Sequence, residues 1–298
     1  MIKELEQDIL MQLTRISPEL NSKILYFGML KRKLNLKEPK TFNEKLMWLK
    51  LNTYKDNELV SQCADKYRVR DYVKKCGCEE ILNDLIGVYD NANDIDFEKL
   101  PNRFVLKCNH AAGYNVICKD KSNLDIDKTR KKLNKWLKRD YWAMYSELQY
   151  KNIERKIVCE KFLDSNDGNA ILDYKVYCFD GIPKFVMICV GRNTGHIKYY
   201  FMDKEWKIMK VNDLGNSTPE DFYIKKPKCI DSMYEYAEKL AKPFKFVRID
   251  FYDYEDKPVF GELTFSPSAC VDRDYTKEGH LQMGSNIKLN IDEIKWTL

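Results

Sequence analysis

The sequence has no apolar run near the roughly 20 residues that a membrane-spanning helix needs, so we expect no transmembrane segment. Its first residues, MIKELEQDILMQL, place acidic side chains among the apolar ones and lack a small-residue cleavage site, which argues against a secretory signal. GxGxxG and β-α-β alternation are also missing, which argues against a Rossmann or P-loop nucleotide site. We therefore expect a cytoplasmic protein with neither of these nucleotide-binding folds.

Histidine is scarce, with three residues in the chain, and no Ser/His/Asp or Cys/His set of a nucleophilic hydrolase is recognisable. The ten cysteines are scattered, and several lie in apolar segments where a free thiol acts as a small hydrophobic side chain. The close pair Cys76 and Cys78 is too tight for the usual zinc-knuckle spacing and has no partner pair. These features predict reduced cysteines without a metal.

Charge of one sign is not concentrated, because 51 basic and 46 acidic residues interleave along the chain to a net charge of +5. Nucleic-acid-binding domains usually gather positive charge on one face or element, so we expect no nucleic-acid partner. The densest basic segment is residues 128–140. It is either the solvated face of a helix or a docking surface for an anionic substrate or the cytoplasmic face of a membrane.

The 298 residues are enough for one large domain or for two to three subdomains around a cleft. Residues 1–90 read as mostly helical, with a helix that begins at Thr41 or Asn43 and another over 57–75. Short apolar strands then alternate with turns, a helix returns over 126–149, and strand follows strand from about 156, interrupted by a helix over 230–242. The pattern predicts an α+β fold with a mainly antiparallel C-terminal sheet.

Two carboxylates lie on the last two predicted strands. Asp250 shares a strand face with Arg248, and Glu262 shares one with Thr264, because alternate strand residues point the same way. A tight hairpin would bring Asp250 and Glu262 side by side, where they repel each other unless a cation or a proton offsets their charge. Oxygen ligands of this kind suit Mg²⁺. The alternative is an exposed hairpin face with paired charges, such as Arg248 with Glu262.

Two further strands end in polar residues. Lys107 is followed by small and polar residues over 109–115, including His110 and Gly113, and such a loop can hold phosphates, although an ordinary turn looks similar. Glu160 ends another apolar strand, where a carboxylate and backbone groups could bind an adenine edge or simply end the strand.

The order of these pieces resembles the ATP-grasp superfamily over roughly residues 100–268. The whole chain resembles the TupA-like ATP-grasp family, which is linked to teichuronopeptide and other bacterial surface polysaccharides. The segments that carry this closer resemblance are KTFNEKLMWLK (40–50), ADKYRVRDYV (64–73), LKCNHAAGYN (106–115), DYKVYCFDG (173–181) and RIDFY…GELTFSP (248–267).

The resemblance implies an ATP-grasp fold, in which two α+β subdomains grip ATP, here preceded by the mostly helical region 1–90. Residues 91–155 would form the small subdomain with the lysine strand and flexible loop, and residues 156–298 the C-terminal subdomain with the metal site. The nucleotide contacts that it implies are phosphate binding by Lys107 and the loop with His110 and Gly113, adenine binding by Glu160, Lys161, Phe162 and Leu163, and ribose binding by Asp167.

The same resemblance makes Asp250 and Glu262 ligands of Mg²⁺ and directs Arg248 at an acyl-phosphate. Many ATP-grasp enzymes carry Asn where this chain has Thr264, so Thr264, or Ser266, would contribute to the metal site only through water. The resemblance does not assign the acceptor site of the ATP-grasp ligases to residues of this sequence. Further candidates for substrate or phosphate contacts are Asp65, Lys66, Arg70 and Lys175, for each of which a surface salt bridge is the alternative.

The resulting prediction is a Mg²⁺- and ATP-dependent carboxylate–amine ligase that forms an amide through an acyl-phosphate. It would join an amino acid or a small amine to a uronic acid in the biosynthesis of bacterial capsule or surface polysaccharide. Its partners would be these small-molecule or saccharide substrates, with a peripheral association with membrane-bound polysaccharide machinery. The alternatives are a kinase acting on a sugar or small metabolite, a glycosyltransferase, and a nucleotide-binding protein that has lost catalysis.

Overall fold

The computed structural model describes residues 4–164, 171–191 and 195–291. The helices of this part of the chain are α1 Glu4–Ile16, α2 Pro18–Leu30, α3 Phe42–Asn52, α4 Glu58–Ala64, α5 Val69–Lys75, α6 Ile126–Leu137, α7 Tyr141–Met144, α8 Asp213–Ser217, α9 Ile230–Ala241 and α10 Lys277–Ser285. The strands are β1 Leu85–Tyr89, β2 Phe104–Cys108, β3 Asn115–Cys118, β4 Ile157–Lys161, β5 Asp173–Phe179, β6 Ile182–Val190, β7 Lys198–Met202, β8 Phe246–Tyr254 and β9 Lys257–Thr264. None of the described helices has the length and apolarity to cross a membrane.

Helix α3 begins where the sequence predicts. The Thr41 side chain accepts a hydrogen bond from the Glu44 amide, and the Glu44 carboxylate accepts one from the Thr41 amide, which forms a capping box. Asn43, the other predicted cap, lies inside the helix, where its buried side chain donates to the carbonyl of Asp272 at 2.7 Å.

The single helix predicted over 57–75 is wrong, because the chain turns at Asp65 between α4 and α5. The Asp65 carboxylate accepts hydrogen bonds from the amides of Tyr67 at 2.8 Å and Arg68 at 3.2 Å. A short acidic side chain that bonds to nearby amides competes with the helical hydrogen bonds at that point. The turn brings Lys66 to the junction between the two helices. The helix predicted over 126–149 is likewise interrupted, since α6 ends at Leu137 and α7 covers Tyr141–Met144.

Two antiparallel sheets organise the rest of the described chain. The first has the strand order β1-β4-β2-β3 and the second the order β7-β6-β5-β8-β9. Helix α6 packs on β2, while α9 packs on β5, β6 and β8. The smaller hydrophobic core lies under the first sheet, and the larger one joins the N-terminal helices to the second sheet. The antiparallel C-terminal sheet was predicted from the sequence.

The boundaries at residues 90 and 155 stay predictions. β1 lies within the predicted helical region and β4 within the predicted C-terminal subdomain, yet β1 pairs with β4 and β4 pairs with β2 in the same four-stranded sheet. Since paired strands share one core, we propose that the small subdomain begins just before β1 and ends just after β4.

Candidate functional site at the junction of the two sheets

A β-bulge aligns the two carboxylates of the last hairpin. The two turn residues, Glu255 and Asp256, have φ of 55° and 60°, as in the primed turns that suit hairpins. Counted from this turn, Asp250 would face Gly261, but the register shifts by one residue and Asp250 faces Glu262. A Cβ on Gly261 would lie 2.9 Å from the Asp250 carbonyl oxygen, so the bulge requires glycine. The predicted side-by-side placement is correct, but it depends on the bulge.

Asp250 is buried and neutralised by two cationic side chains. Arg248 binds its carboxylate in a bidentate manner, from Nε at 2.7 Å and from Nη2 at 2.8 Å, and Lys175 on β5 contacts it as well. Lys175 also contacts Asp173 at 2.7 Å. Burial raises the pKa of Asp250, and Arg248 and Lys175 act in the opposite direction. Asp250 is thus ion-paired but buried, whereas the alternative from the sequence was an exposed hairpin face, and its role as a metal ligand stays a prediction.

Glu262 is held more loosely and faces solvent. Its side chain is 37% exposed, with Lys66 Nζ 3.6 Å from Oε2 and Arg248 Nη2 3.8 Å from Oε1. The Thr264 hydroxyl donates to Oε1 at 3.2 Å. Desolvation raises the pKa of Glu262, but the combined field of Lys66, Arg248, Lys175 and Lys107 outweighs it and lowers the pKa to about 2. This carboxylate is therefore ionised at neutral pH.

Lys66 reaches Glu262 from the opposite side of the site because the turn at Asp65 is tied to the loop after β2. Asn109 donates to the Asp65 carboxylate at 2.9 Å, and Lys66 Nζ donates to the carbonyl of Ala111 at 2.6 Å. The sequence had Asp65 and Lys66 as candidates for phosphate or substrate contacts. Asp65 has a structural role, whereas Lys66 lies beside the carboxylates. Arg70 lies on α5.

The loop predicted to cover a nucleotide connects β2 to β3 as a hairpin loop. Gly113 in this loop has φ of 74°, and a Cβ added to it would have no described atom beyond its chain neighbours within 4 Å. His110 is buried, and its pKa is lowered to about 4 by burial first and by nearby Arg155 second. A neutral, buried imidazole does not supply positive charge to a phosphate. His110 and Gly113 as nucleotide contacts stay predictions.

Lys107 and Glu160 lie on neighbouring strands and pair with each other, with Lys107 Nζ 2.6 Å from Glu160 Oε2. The sequence assigned them separately, to phosphate and to adenine. The structure joins them in one ion pair between β2 and β4 of the four-stranded sheet.

The end of β4 has backbone partners of its own. The Lys161 amide donates to the carbonyl of Asp84 at 3.0 Å, and its carbonyl accepts from the Asn83 side chain at 2.9 Å. Phe162 and Leu163 follow beyond the strand and are half-buried. Lys161, Phe162 and Leu163 were predicted to contact adenine, and these roles stay predictions. Asp167, the predicted ribose contact, lies outside the described residues.

Two features of the site were missed by sequence reasoning. Asp173 shares a strand face with Lys175 two residues on, so strand alternation could have revealed it. Glu147 is buried and accepts a hydrogen bond from Ser266 at 2.5 Å, and Ser266 in turn accepts one from Gln149 at 2.8 Å. Ser266 thus belongs to a buried hydrogen-bond network after the end of β9, and its role as a metal ligand through water stays a prediction. No local pattern links Glu147 to Ser266.

The residues present fit a divalent cation at Glu262. This carboxylate is ionised and accessible, and the nearest nitrogens of Lys66 and Arg248 lie beyond hydrogen-bonding distance from it. In the described part of the chain no three His, Cys, Asp or Glu side chains form a metal-binding group. A Mg²⁺ site does not need three such side chains, because Mg²⁺ commonly takes one or two carboxylates and completes its shell with water and substrate phosphates.

The residues also fit a polyanion such as a triphosphate. Lys66 from the α4–α5 junction, Lys107 from β2, Lys175 from β5 and Arg248 from β8 all act electrostatically on one carboxylate. These four residues lie on separate segments of the chain and on both sheets, so the fold brings their positive charges close to one another. Lys107 already pairs with Glu160, and Lys175 and Arg248 already pair with Asp250, so a phosphate chain would bind here together with a cation that offsets these carboxylates.

Comparison with known proteins gives one family and a set of distant structural likenesses. A family model described as TupA-like ATP-grasp matches residues 44–288. No curated protein sequence matches the chain.

The similar solved structures include three ligases. D-alanine–D-alanine ligase from Bacillus anthracis complexed with ATP has 14% identity and a TM-score of 0.42, over 70% of this chain and 57% of that one. The Helicobacter pylori D-alanine–D-alanine ligase has 14% identity and a TM-score of 0.43, over 83% and 69%. An L-amino acid ligase from Bacillus licheniformis has 12% identity and a TM-score of 0.45, over 74% and 47%. This chain thus spans between about half and about two thirds of those proteins.

Proposed function

This chain belongs to the TupA-like ATP-grasp family, and from that membership we propose that it is a Mg²⁺- and ATP-dependent carboxylate–amine ligase. The membership confirms the family and the α+β ATP-grasp fold that the sequence predicted. The reaction, the substrates and the residue roles are the proposal.

The observation that carries the proposal is the gathering of Lys66, Lys107, Lys175 and Arg248 around one accessible, ionised carboxylate, Glu262. Phosphoryl transfer needs positioning and charge stabilisation more than covalent help from the protein. Four fixed cations supply that stabilisation without reorganising during the reaction. A bound Mg²⁺ would neutralise phosphate charge, and Glu262 would hold it, with Asp250 and Thr264 beside it.

In the proposed reaction a carboxylate oxygen of the acid attacks the γ-phosphorus of ATP, and ADP leaves. The amine nitrogen then attacks the acyl carbon, phosphate leaves, and the nitrogen loses a proton to give the amide. Arg248 points its Nη2 toward Glu262 and Thr264, so it can reach negative charge that develops on the acyl group. Lys175 shares with Arg248 the pairing of the buried Asp250, which would hold the guanidinium in place during the reaction.

For the substrates we propose a uronic acid of a bacterial capsule or surface polysaccharide, or its precursor, and an amino acid or small amine. This step comes from the family resemblance of the sequence. We also propose that the enzyme is cytoplasmic, with saccharide partners and no nucleic acid.

The first experiment is a screen for ADP release with acids against amines, followed by mass spectrometry of any product. Amide formation that requires both substrates supports the ligase. A stable phosphorylated product without an amine would indicate a kinase, and turnover of a nucleotide sugar without ATP would indicate a glycosyltransferase.

The matched variants are Glu262→Gln and Glu255→Gln, on the same hairpin. Glu262→Gln removes the charge from the site and should abolish Mg²⁺-dependent ATP turnover while the circular dichroism spectrum stays unchanged. Glu255→Gln changes an exposed turn residue and should keep full turnover. Equal turnover by both variants would remove Glu262 from the metal site.

A further inference from the structure

Helix α2 is apolar on the side that faces away from the protein. Leu20, Ile24 and Phe27 are spaced at helical periods and are 45%, 43% and 56% exposed. We call these three residues the outer stripe. The neighbouring Ile16, at the end of α1, is 79% exposed and extends the apolar surface.

The inward side of α2 contains polar residues that fix its rotation. Asn21 is fully buried, and its amide donates to Thr14 at 2.6 Å, to Ser146 at 3.0 Å and to the carbonyl of Met144 at 3.3 Å. A roll that buried the outer stripe would break these bonds and expose Leu25, which lies on the inward side. The helix is therefore held with its apolar side outward.

Basic residues follow the outer stripe closely. From Leu20 to Lys40 the chain carries six basic residues and one acidic residue, Glu38. Lys31, Arg32 and Lys33, directly after α2, are all exposed. Lys31 caps the helix in the left-handed conformation with φ of 57°. The apolar stripe thus ends in a compact positive cluster at residues 31–33.

We infer that the outer stripe of α2 and the basic cluster 31–33 dock this protein onto a membrane surface that contains anionic lipids. Burial of the apolar side chains and attraction of the basic cluster to anionic lipids would both contribute to binding at a membrane interface. Anionic headgroups complement the basic cluster, which an uncharged apolar partner would not.

A second copy of the chain is the alternative occupant, because in a two-fold interface the same patch contacts itself. The exposed Lys31, Arg32 and Lys33 favour an anionic surface over this alternative, and a dimer dissociated by Ile24→Gln would identify the second copy. The inference is independent of the proposed ligase reaction.

The test is co-sedimentation of the full chain with vesicles of phosphatidylcholine alone or mixed with phosphatidylglycerol, without ATP. We expect binding to the anionic vesicles, weakened by high salt. Changing Lys31, Arg32 and Lys33 together to Gln should weaken it by about 100-fold, since each basic residue near such a surface contributes about fivefold. The matched charge control is Lys128→Gln, Lys131→Gln and Lys132→Gln together on α6, which should bind like the wild type.

The matched apolar pair is Ile24→Gln and Ile182→Gln, since both isoleucines are similarly exposed, at 43% and 46%. Ile24→Gln should lower vesicle binding by about tenfold or more, and Ile182→Gln should not. The inference is overturned if the wild type does not bind anionic vesicles, if the α6 control loses binding as strongly, or if sedimentation shows a dimer that Ile24→Gln dissociates. ADP release by these variants in solution, measured separately, should equal that of the wild type.

Discussion

Replacing Arg248 by Met leaves a buried carboxylate with half of its neutralising partners. Asp250 is 3% exposed and would lose both hydrogen bonds from the guanidinium, at 2.7 and 2.8 Å, and keep Lys175 alone. Breaking a buried ion pair by removing one partner costs about 3 to 5 kcal/mol. We expect the free energy of unfolding to fall by about 3 kcal/mol at neutral pH, since Lys175 still offsets part of the charge.

The assay is urea denaturation followed by circular dichroism, with two controls. Lys245→Met removes a partly exposed pair with Asp180 at 2.9 Å next to β8 and should cost about 0 to 1 kcal/mol. Arg248→Lys keeps a positive charge but loses the bidentate geometry. Its loss of unfolding free energy should therefore lie between those of Lys245→Met and Arg248→Met.

The dependence on pH follows from the pKa of Asp250. Burial raises this pKa, and Arg248 lowers it again, so Arg248→Met raises the folded-state pKa further. The cost of ionising the carboxylate is complete above the folded-state pKa and vanishes below the ordinary value of 3.8. The loss of stability should therefore shrink as the pH falls through the raised folded-state pKa toward the ordinary value of 3.8. A loss equal to that of Lys245→Met, or one that grows as the pH falls, would refute the reasoning.

Three further predictions concern the same site. Lys107→Met should weaken Mg²⁺–ATP binding measured by calorimetry by about tenfold, because it removes a cation that we propose binds phosphate. Lys66→Met removes the ammonium 3.6 Å from Glu262, so the pKa of that carboxyl, about 2, should rise toward its ordinary value in an NMR titration. Gly261→Val puts a side chain 2.9 Å from the Asp250 carbonyl, so it should cost about 1 to 3 kcal/mol by thermal denaturation and lower ATP turnover.

Each of these three predictions would be contradicted by one experimental result. Unchanged nucleotide affinity in Lys107→Met would count against phosphate binding by this residue, with Lys119→Met as the exposed control. An unchanged titration in Lys66→Met would mean that other cations set the charge of Glu262. Wild-type stability in Gly261→Val would show that the bulge accepts a side chain.

Several parts of the fold and the site could be predicted from sequence because they depend on local patterns. The start of α3 at Thr41 follows from a capping box only four residues long. The helix α9 follows from apolar residues at helical spacing, and the strands that carry Asp250 and Glu262 follow from alternation. The order of these segments along the chain also sufficed to suggest the family, which the family match confirms.

The helix predicted over 57–75 failed for a local reason of a different kind. Asp65 lies within an apolar periodicity, but its carboxylate bonds to the amides of Tyr67 and Arg68 and to the distant Asn109. The spacing of apolar residues does not reveal a side chain that forms its hydrogen bonds outside the helix. The resulting break moved Lys66 into the site.

What the sequence by itself determined is which residues bear charge and on which strands they lie. What the tertiary structure decided is which of them meet. The one-residue shift at Gly261 turned Glu262 to face Asp250, which strict alternation would have placed opposite glycine. Lys66 and Glu262 are nearly two hundred positions apart, yet their charged atoms lie 3.6 Å apart. A local pattern has a period of a few residues, so it cannot encode that contact or tell that Asp250 is neutralised by side chains while Glu262 is left open to solvent.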